Sequence, residues 1–421
     1  MSKKIDSGIE WVGEIPSHWK MERLQWHVTE IKESNKPEKS RQVLSLTNKR
    51  GVIPYEEKGA QGNVAKEDYS QYKLAYPGTI VANSMNILIG SVGRCDYFGC
   101  VSPVYYVYRP NEGENLEFIN YMSQLEQFQK ELRRYANGIL EIRLRVSSDG
   151  ILKREMAFPP IAEQERIVSF LDGKLTQVDA LVANVEAQIE KLKAYKQSVI
   201  TEVVTKGLDP SVPMKDSEIE WMANVPAHWE IRPSKFLFEN CDERRREGDV
   251  QLTASQKYGM ISQEEYMRRE NARIVLADKG LENWKHIEPF DFVISLRSFQ
   301  GGLEMSEVSG CATWHYIVLR ARQQIHPYYF KWLFKSSMYI TALQRTCNYI
   351  RDGQDLRYSN FVKVPLCIPT IEEQYSIADY LDKKCAQIDQ LITIKQKKID
   401  KLNEYKKSLI YEYVTGKKEV S

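Results

Sequence analysis

Two long stretches of the chain carry apolar residues at steps of three and four, which is the spacing of one face of an α-helix. The first stretch predicts a helix over Ile161–Thr205, because Pro159–Pro160 precedes it and Gly207 follows it. As one continuous helix it would extend about 68 Å. The second stretch lies 210 residues further on and carries Cys385 and Lys395 within its stripe. Such stripes need a partner, so we expect the two helices to pack on each other.

The segment before each long helix follows a different pattern. Short runs of β-branched and aromatic residues, such as "GTIVAN", "PVYYVYR", "FDFVISL" and "HYIVLRA", predict strands. Glycine-rich turns separate these runs, and "GSVG" (Gly90–Gly93) is interpreted as a turn. Helical segments follow in "NLEFINYMSQLEQFQKELRRY" and "PYYFKWLFKSSMYITALQR". Each segment is therefore predicted to be a globular domain of mixed strand and helix, and the fold class is α+β.

The two halves of the chain are copies of each other at an offset of 210 residues. "GIEWVGEIPSHW" (Gly8–Trp19) and "EIEWMANVPAHW" (Glu218–Trp229) share six of twelve positions. Pro159–Leu208 and Pro369–Lys418 share 21 of 50 positions without a gap. Between these blocks the similarity weakens and the offset varies from 208 to 211. This division suggests a shared scaffold that carries two different recognition surfaces. We place the domains at 1–158 and 209–368, and the helical segments at 159–208 and 369–421.

Composition narrows the class of protein. A chain of 421 residues is too long for one core, and 42% hydrophobic with 28% charged residues is typical of a soluble globular protein. We expect no membrane association, since no run of about 18 apolar residues occurs and "MSKKIDSGIEWVGEIP" lacks the apolar core of a secretory signal. Seven cysteines without a CxxC pair argue against a disulfide framework and a zinc site. We expect a cytoplasmic protein, and the net charge of +2 neither demands nor excludes nucleic acid.

Motifs for catalysis do not occur in the sequence. There is no GxxxxGK[ST] loop, no GxGxxG after a strand, no HExxH and no GxSxG. "FPPI" (Phe158–Ile161) lacks the asparagine of an adenine-methyltransferase loop. His18 and His228 each stand beside a tryptophan at repeated positions, which favours a structural role. We therefore predict no catalytic residues, no metal ligands and no cofactor for this chain.

Polar loops in the two domains offer the side chains that read DNA bases. Arginine, lysine, asparagine and glutamine pair with guanine and adenine edges in the major groove, although many such residues contact only phosphate or solvent. "DERRREGD" (Asp242–Asp249) is interpreted as a solvated surface because acids flank its arginines. The candidate DNA-binding residues are Asn48, Lys49, Arg50, Asn86, Arg94, Arg143, Arg145, Gln256, Lys257, Arg297, Gln300, Arg351 and Arg357.

These features together resemble the specificity subunit of type I restriction–modification systems. The resemblance covers essentially the whole chain. It rests on the doubled "GIEW…IPSHW" phrase, the doubled "PP/PTI.EQ..I…LD" start of a long helix, and "LRVSSDGILKREMAFPPIAEQ" (Leu144–Gln164) between domain and helix.

The resemblance implies an architecture and a set of partners. Each divergent domain would be a target recognition domain that reads one half of a bipartite, asymmetric site in double-stranded DNA. The long helices would form an antiparallel coiled coil that separates the domains, with an internal pseudo-twofold. Two methylation subunits would methylate adenine, and motor–nuclease restriction subunits would cleave DNA. S-adenosylmethionine, ATP and magnesium are expected on those partners.

Other functions remain open at this point. A structural or regulatory coiled-coil protein without sequence-specific DNA binding would be expected to keep its two domains similar, whereas these diverge. An enzyme with an unfamiliar site would be expected to cluster titratable residues in one domain. A recognition protein without a methylase partner is a further alternative.

Overall fold

The computed structural model describes residues 3–47, 50–58, 68–138, 144–274, 276–277, 279–295, 298–346 and 356–420. The chain divides into two compact units. Unit 1 comprises Met1–Val185 and Lys397–Ser421, and unit 2 comprises Glu186–Gln396. Two long helices, Ile161–Lys206 and Ile371–Val414, each contribute to both units. Among the described residues, none of the helices is long and apolar enough to cross a membrane.

Unit 1 alternates strands and short helices before the first long helix. Its strands are β1 (Lys4–Asp6), β2 (Glu14–Pro16), β3 (Lys20–Arg23), β4 (Val28–Ile31), β5 (Leu44–Thr47), β6 (Gly51–Pro54), β7 (Lys73–Ala75), β8 (Thr79–Asn83), β9 (Val92–Cys95), β10 (Gly99–Val101), β11 (Tyr105–Pro110), β12 (Ala136–Asn137), β13 (Arg145–Val146) and β14 (Glu155–Phe158). Its helices are α1 (Leu116–Ser123), α2 (Glu126–Arg133), α3 (Ser148–Leu152) and the first part of the first long helix, α4 (Ile161–Lys206).

The central sheet of unit 1 has the strand order β4–β11–β8–β9, and its neighbouring strands are antiparallel. Successive residues of a strand point to opposite faces, so the apolar residues of β8 pack into two different cores, one on each face of the sheet. Ile80 and Ala82 pack on the side of α1, α2 and the long helices. Val81 packs on the other side, against the hairpin β5–β6 through Leu46 and Val52. The sheet therefore lies between a helical layer and a hairpin.

Unit 2 repeats this plan. Its strands are β15 (Met214–Ile219), β16 (Met222–Pro226), β17 (Glu230–Pro233), β18 (Phe238–Cys241), β19 (Leu252–Ser255), β20 (Gly259–Ser262), β21 (Lys285–Ile287), β22 (Phe292–Ile294), β23 (Glu304–Met305), β24 (Gly310–Ala312), β25 (Ile317–Ala321) and β26 (Pro365–Ile368). Its helices are α5 (Gln263–Glu270), α6 (Ser298–Gly301), α7 (Pro327–Lys335), α8 (Ser337–Arg345), α9 (Tyr358–Phe361) and the first part of the second long helix, α10 (Ile371–Val414).

The sheet of unit 2 also has two apolar faces. Its order, β18–β25–β22–β23, matches that of unit 1. Phe292 and Ile294 face the core shared with α7, α8 and the long helices. Val293 faces the hairpin β19–β20 through Leu252 and Met260. Each fully buried side chain of this size stabilises the fold by about 1.5–3 kcal/mol, so both layers contribute.

Within each unit, the long helices run antiparallel. In unit 1, the Phe170 and Tyr413 ring centroids are 4.6 Å apart and Asp179 pairs with Lys406. A later residue of the first helix thus meets an earlier residue of the second, as in an antiparallel pair. In unit 2, the Lys196 Nζ lies 2.6 Å from an Asp389 carboxylate oxygen. The two ion pairs are equivalent under the 210-residue offset, with the helices exchanged. The helix pairing expected from the sequence is confirmed.

Two residues of the apolar stripe on the second long helix, Cys385 and Lys395, are neither aliphatic nor aromatic, and each has a suitable environment in the fold. Cys385 is buried in the core of unit 2, where burial raises the pKa of its thiol to about 11 and keeps it neutral. The Lys395 Nζ donates a hydrogen bond to Gln188 Oε1 at 2.6 Å. The turn expected over Gly90–Gly93 is only half correct, because Gly90 turns with a positive φ but Val92 begins β9.

Candidate nucleic-acid interface

The repeated tryptophan and histidine contact the first turn of a long helix. In unit 1, Trp19 Nε1 donates to Glu163 Oε1 at 3.2 Å, and His18 Nε2 lies 2.7 Å from the other carboxylate oxygen. In unit 2, Trp229 Nε1 donates to Glu373 Oε1 at 3.2 Å, and His228 Nε2 lies 2.9 Å from the same atom. These carboxylates also face the positive end of the helix dipole. The histidines are thus structural, as the sequence suggested.

The electrostatics of the Glu373 contact follow from its partners. Burial alone would raise the pKa of Glu373, but hydrogen bonds from His228, the Thr370 backbone N–H and Trp229 lower it overall. The carboxylate therefore stays ionised and continues to accept these bonds at neutral pH.

The same tryptophan also packs on the end of the other long helix. Gly416 follows the second long helix with φ +69°, and a Cβ added there would lie 2.4 Å from Pro16 Cδ and 3.2 Å from Trp19 Cζ3. Gly207 follows the first long helix with φ +75°, and its added Cβ would lie 3.3 Å from Trp229 Cζ2. Each Pro-x-His-Trp phrase therefore holds the start of one helix and the end of the other. We refer to this arrangement as the helix clamp.

The hairpin β5–β6 of unit 1 carries the first candidate, Arg50, at its turn. Arg50 is exposed and pairs with Glu57. The hairpin packs on β9, because Gly51 and Gly93 approach so closely that a Cβ on Gly93 would lie 2.9 Å from the Gly51 Cα. The structure thus brings Arg50 beside the strand that carries Arg94.

The surroundings of Arg94 are acidic. Its Nε donates to Asp96 at 2.7 Å, and its Nη1 lies 3.5 Å from Glu117. It lines a cleft of about 720 Å³ with Glu114, Asp172 and these two acids. Phosphate would meet repulsion there. Arg94 stays a predicted DNA contact, but its acidic surroundings make it a weaker candidate than Arg50.

Two further candidates of unit 1, Asn86 and Arg145, lie on segments that meet after the end of β8. Asn86 is exposed in the turn between β8 and β9. Arg145 is exposed on β13, and the next residue, Val146, donates its backbone N–H to the Ser84 carbonyl at 2.9 Å. Since Ser84 belongs to the turn of Asn86, the structure brings these two candidates into neighbouring segments although 59 positions of sequence separate them.

In unit 2, the equivalent hairpin turn meets α6. Gln256 is exposed in the turn of β19–β20, and its amide would lie 2.5 Å from a Cβ added to Gly301. Gln300, the preceding residue, is also exposed. Two predicted amide side chains therefore lie on adjoining segments. Arg357 is exposed at the start of α9, where its backbone N–H donates to Asn360 Oδ1 at 3.0 Å.

Lys257 lies in a small aromatic and charged group. Its Nζ is 3.0 Å from Glu270 Oε1, and the Tyr258 hydroxyl donates to the same oxygen at 2.8 Å. The Arg269 guanidinium lies 4.8 Å from the Tyr258 ring centroid. Sequence reasoning did not select Tyr258, although it lies next to Lys257 in the hairpin turn, and it missed Arg269, because only the packing of α5 beside β20 brings Arg269 to the hairpin. The candidates Asn48, Lys49, Arg143, Arg297 and Arg351 lie outside the described residues.

The fold and these contacts define a class of protein. The chain is a duplicated α+β protein whose units share the helix clamp and the sheet but differ beside the hairpin. In unit 2 the hairpin continues into α5, whereas in unit 1 it continues into a short 3₁₀ turn over Tyr55–Lys58.

Comparison with known proteins agrees with this class. No protein-family model matches the chain. The putative type I restriction enzyme MjaX specificity subunit of Methanocaldococcus jannaschii is 21% identical over 439 residues, covering 96% of this chain and 95% of the relative. A solved structure concerned with complex assembly and conformational transition of the type I R-M system has a TM-score of 0.67 at 15% identity, covering 95% of this chain and 98% of that one. The HsdS subunit from Thermoanaerobacter tengcongensis has a TM-score of 0.49 at 14% identity, covering 96% and 98%.

These findings confirm the resemblance drawn from the sequence. Over almost its full length the chain is similar to a curated type I restriction enzyme specificity subunit, and its fold is that of a chain solved in a study of a type I R-M system.

Proposed function

We propose that this chain is the DNA-specificity subunit of a type I restriction–modification complex. Each unit reads one half of a bipartite, asymmetric DNA target, and the long helices set the gap between the half-sites. The chain itself catalyses no reaction. It directs methylation subunits to adenine and motor–nuclease subunits to cleavage, and those partners carry S-adenosylmethionine, ATP and magnesium.

One observation carries the proposal: the two units keep the same helix clamp and sheet, yet they differ where the polar loops project. A structural spacer would gain nothing from this difference. A reader of two unlike half-sites requires it, because base contacts specify sequence whereas the frame only positions them.

The candidate side chains suit such reading. The paired amides Gln256 and Gln300 match the donor and acceptor of an adenine edge, and Arg50 matches guanine. All three are exposed: Arg50 lies at the hairpin turn of unit 1, Gln256 lies at the hairpin turn of unit 2, and Gln300 lies beside Gln256. We propose them as the first residues to test for base recognition.

The decisive experiment maps N6-methyladenine across the genome of a host without adenine methylation. The chain is co-expressed with the methylation subunit encoded beside it. One split motif with a fixed gap, absent without this chain, is the expected result. If the two proteins are soluble and associated but no motif appears, guidance of methylation is refuted. If they fail to associate, the coiled-coil alternative is favoured.

The structure gives clean boundaries for a domain exchange. Strands β3 and β14 pair with each other and belong to the frame, so residues 24–154 can be replaced between them. Strands β17 and β26 pair in the same way around residues 234–364. Replacing either segment with that of another family member should change one half of the motif and leave the other half and the gap unchanged.

Single substitutions test the named side chains. Gln256→Ala and Gln300→Ala should relax one base position in one half-site, at a cost of about 1–3 kcal/mol in discrimination. Arg322→Ala is the matched control, because Arg322 is an exposed cation of unit 2 that pairs with Glu239 beside the sheet. A control that loses as much discrimination would show that the effect is not base recognition.

A further inference from the structure

A buried histidine and two glutamates lie together in unit 2. Glu243 follows β18, His286 lies within β21, and Glu288 follows that strand. One ligand atom from each of the three lies within 4.8 Å of the others. No spacing motif in the sequence indicates this group, since its members come from two distant segments.

The histidine has one satisfied nitrogen and one unsatisfied nitrogen. Its Nδ1 lies 2.8 Å from Asp249 Oδ2, and the side chain is only 1% exposed. Its Nε2 is buried without a hydrogen-bond partner and lies 3.8 Å from Glu288 Oε1. A carboxylate at Nδ1 fixes the tautomer in which Nε2 carries a lone pair. In the neutral imidazole that lone pair faces carboxylate oxygens, so a metal ion placed between them would attract both.

The charges around the group leave room for such a cation. Arg320 is held by Asp291 through two hydrogen bonds of 3.0 and 2.7 Å, and its remaining nitrogen makes only a long hydrogen bond of 3.4 Å to Glu243 and lies 3.6 Å from Glu288. Arg246 bridges Glu243 and Glu288 more closely, but half of its side chain is exposed, so it can swing into solvent.

We propose that Glu243, His286 and Glu288 form a binding site for one divalent transition-metal ion of the zinc class. Imidazole and carboxylate are ligands that such ions accept at about 2.0–2.2 Å. Adjacent ligands around the ion would then be roughly 3–4 Å apart, so the two partly exposed glutamates rotate inward and displace Arg246. The ion would join the segment after β18 to β21, next to the hairpin side of the sheet.

Unit 1 provides a built-in control. Leu74 of unit 1 occupies the place of His286, because Leu74 pairs with Cys100 as His286 pairs with Cys311. The backbone N–H of Leu74 donates to the Glu33 carbonyl, and that of His286 donates to the Glu243 carbonyl. Leucine thus stands where unit 2 has histidine. Two positions after that leucine, a tyrosine replaces the second glutamate and donates its hydroxyl to Glu33. The metal-ligating set belongs to one unit, so it is not required by the frame.

The test uses the full-length chain after removal of metals with a chelator. Binding is followed by the visible absorption of added Co²⁺ and by the rise in melting temperature with Zn²⁺. His286→Leu copies the residue of unit 1, and Glu288→Gln removes a partly exposed ligand. His315→Ala controls for adventitious binding, because His315 is exposed and lies outside the group. Arg246→Ala removes the competing cation.

We expect saturable 1:1 binding in the wild type and in His315→Ala. Loss of a residue that only supports a metal ligand weakens metal binding about 10- to 100-fold, and His286→Leu and Glu288→Gln should each weaken it by more than that. Arg246→Ala should tighten metal binding. Absence of a Co²⁺ spectrum and of a Zn²⁺-dependent melting shift in the wild type would overturn the proposal. So would unchanged affinity in His286→Leu, or in Glu288→Gln if the first variant does not fold.

Discussion

Gly416 is the position where a single methyl group should damage the helix clamp most. It has φ +69°, a left-handed conformation that costs an alanine about 1–2 kcal/mol. The new Cβ would also lie 2.4 Å from Pro16 Cδ. Relief of such overpacking costs about 1–3 kcal/mol. Gly416→Ala should therefore lower the free energy of unfolding by about 2–5 kcal/mol.

Two other glycines separate the causes. Gly207 has a similar φ of +75°, but its added Cβ comes no closer than 3.3 Å to Trp229, so Gly207→Ala should cost only the backbone part, about 1–2 kcal/mol. Gly173 lies inside the first long helix with nothing within 4 Å of an added Cβ. Gly173→Ala should stabilise the chain by about 1 kcal/mol.

The assay is urea unfolding of the three full-length variants and the wild type, followed by circular dichroism. The expected order of stability is Gly173→Ala, wild type, Gly207→Ala, Gly416→Ala. If Gly416→Ala were as stable as Gly207→Ala, the close packing of Gly416 on Pro16 would contribute nothing and the reasoning would be wrong.

Three further predictions concern polar contacts. Trp229→Phe removes the N–H that donates to Glu373 and should cost about 1.5–3 kcal/mol in urea unfolding; an unchanged stability would deny the hydrogen bond. The folded pKa of Glu373 lies below its ordinary value of 4.5, so this carboxylate stabilises the fold above that pH and the contribution is lost as pH falls through the folded pKa. Glu373→Gln should accordingly flatten the acid side of a plot of stability against pH, and an identical acid side would contradict this. Lys196→Ala should lower the stability by less than about 1 kcal/mol in thermal unfolding, because its partner Asp389 is 55% exposed. A larger loss would show that this ion pair is not a weak surface contact.

The repeated frame could be predicted from the sequence because its signals are local and occur twice. The stripe over Ile161–Thr205 gave the helix to within one residue of its end at Lys206. The strand β9 was missed because its four residues, Val92–Cys95, include a glycine, and they are ordered by the hairpin that packs on them. Periodicity carries no information about such a partner.

The candidate interface could be predicted only as a set of loops. Asn86 and Arg145 were selected separately, as polar side chains in predicted loops, and their adjacency depends on the hydrogen bond from Val146 to Ser84. Of the two acids that contact Arg94, Asp96 is two positions away in the sequence, whereas Glu117 comes from α1 and could not be found from the residues around Arg94. Likewise, the ligand group at His286 depends on the pairing of β21 with its neighbours.

The division of unit 1 between both ends of the chain fixes the order in which it can be completed during synthesis. Its first part ends at Val185, and its second part begins at Lys397. At ribosomal rates, the residues between take about 10–40 s to make. Throughout that interval Leu171 and Leu175 lack the core partners Leu409 and Val414, which have not yet been synthesised. The domain that leaves the ribosome first is therefore the last to complete its core.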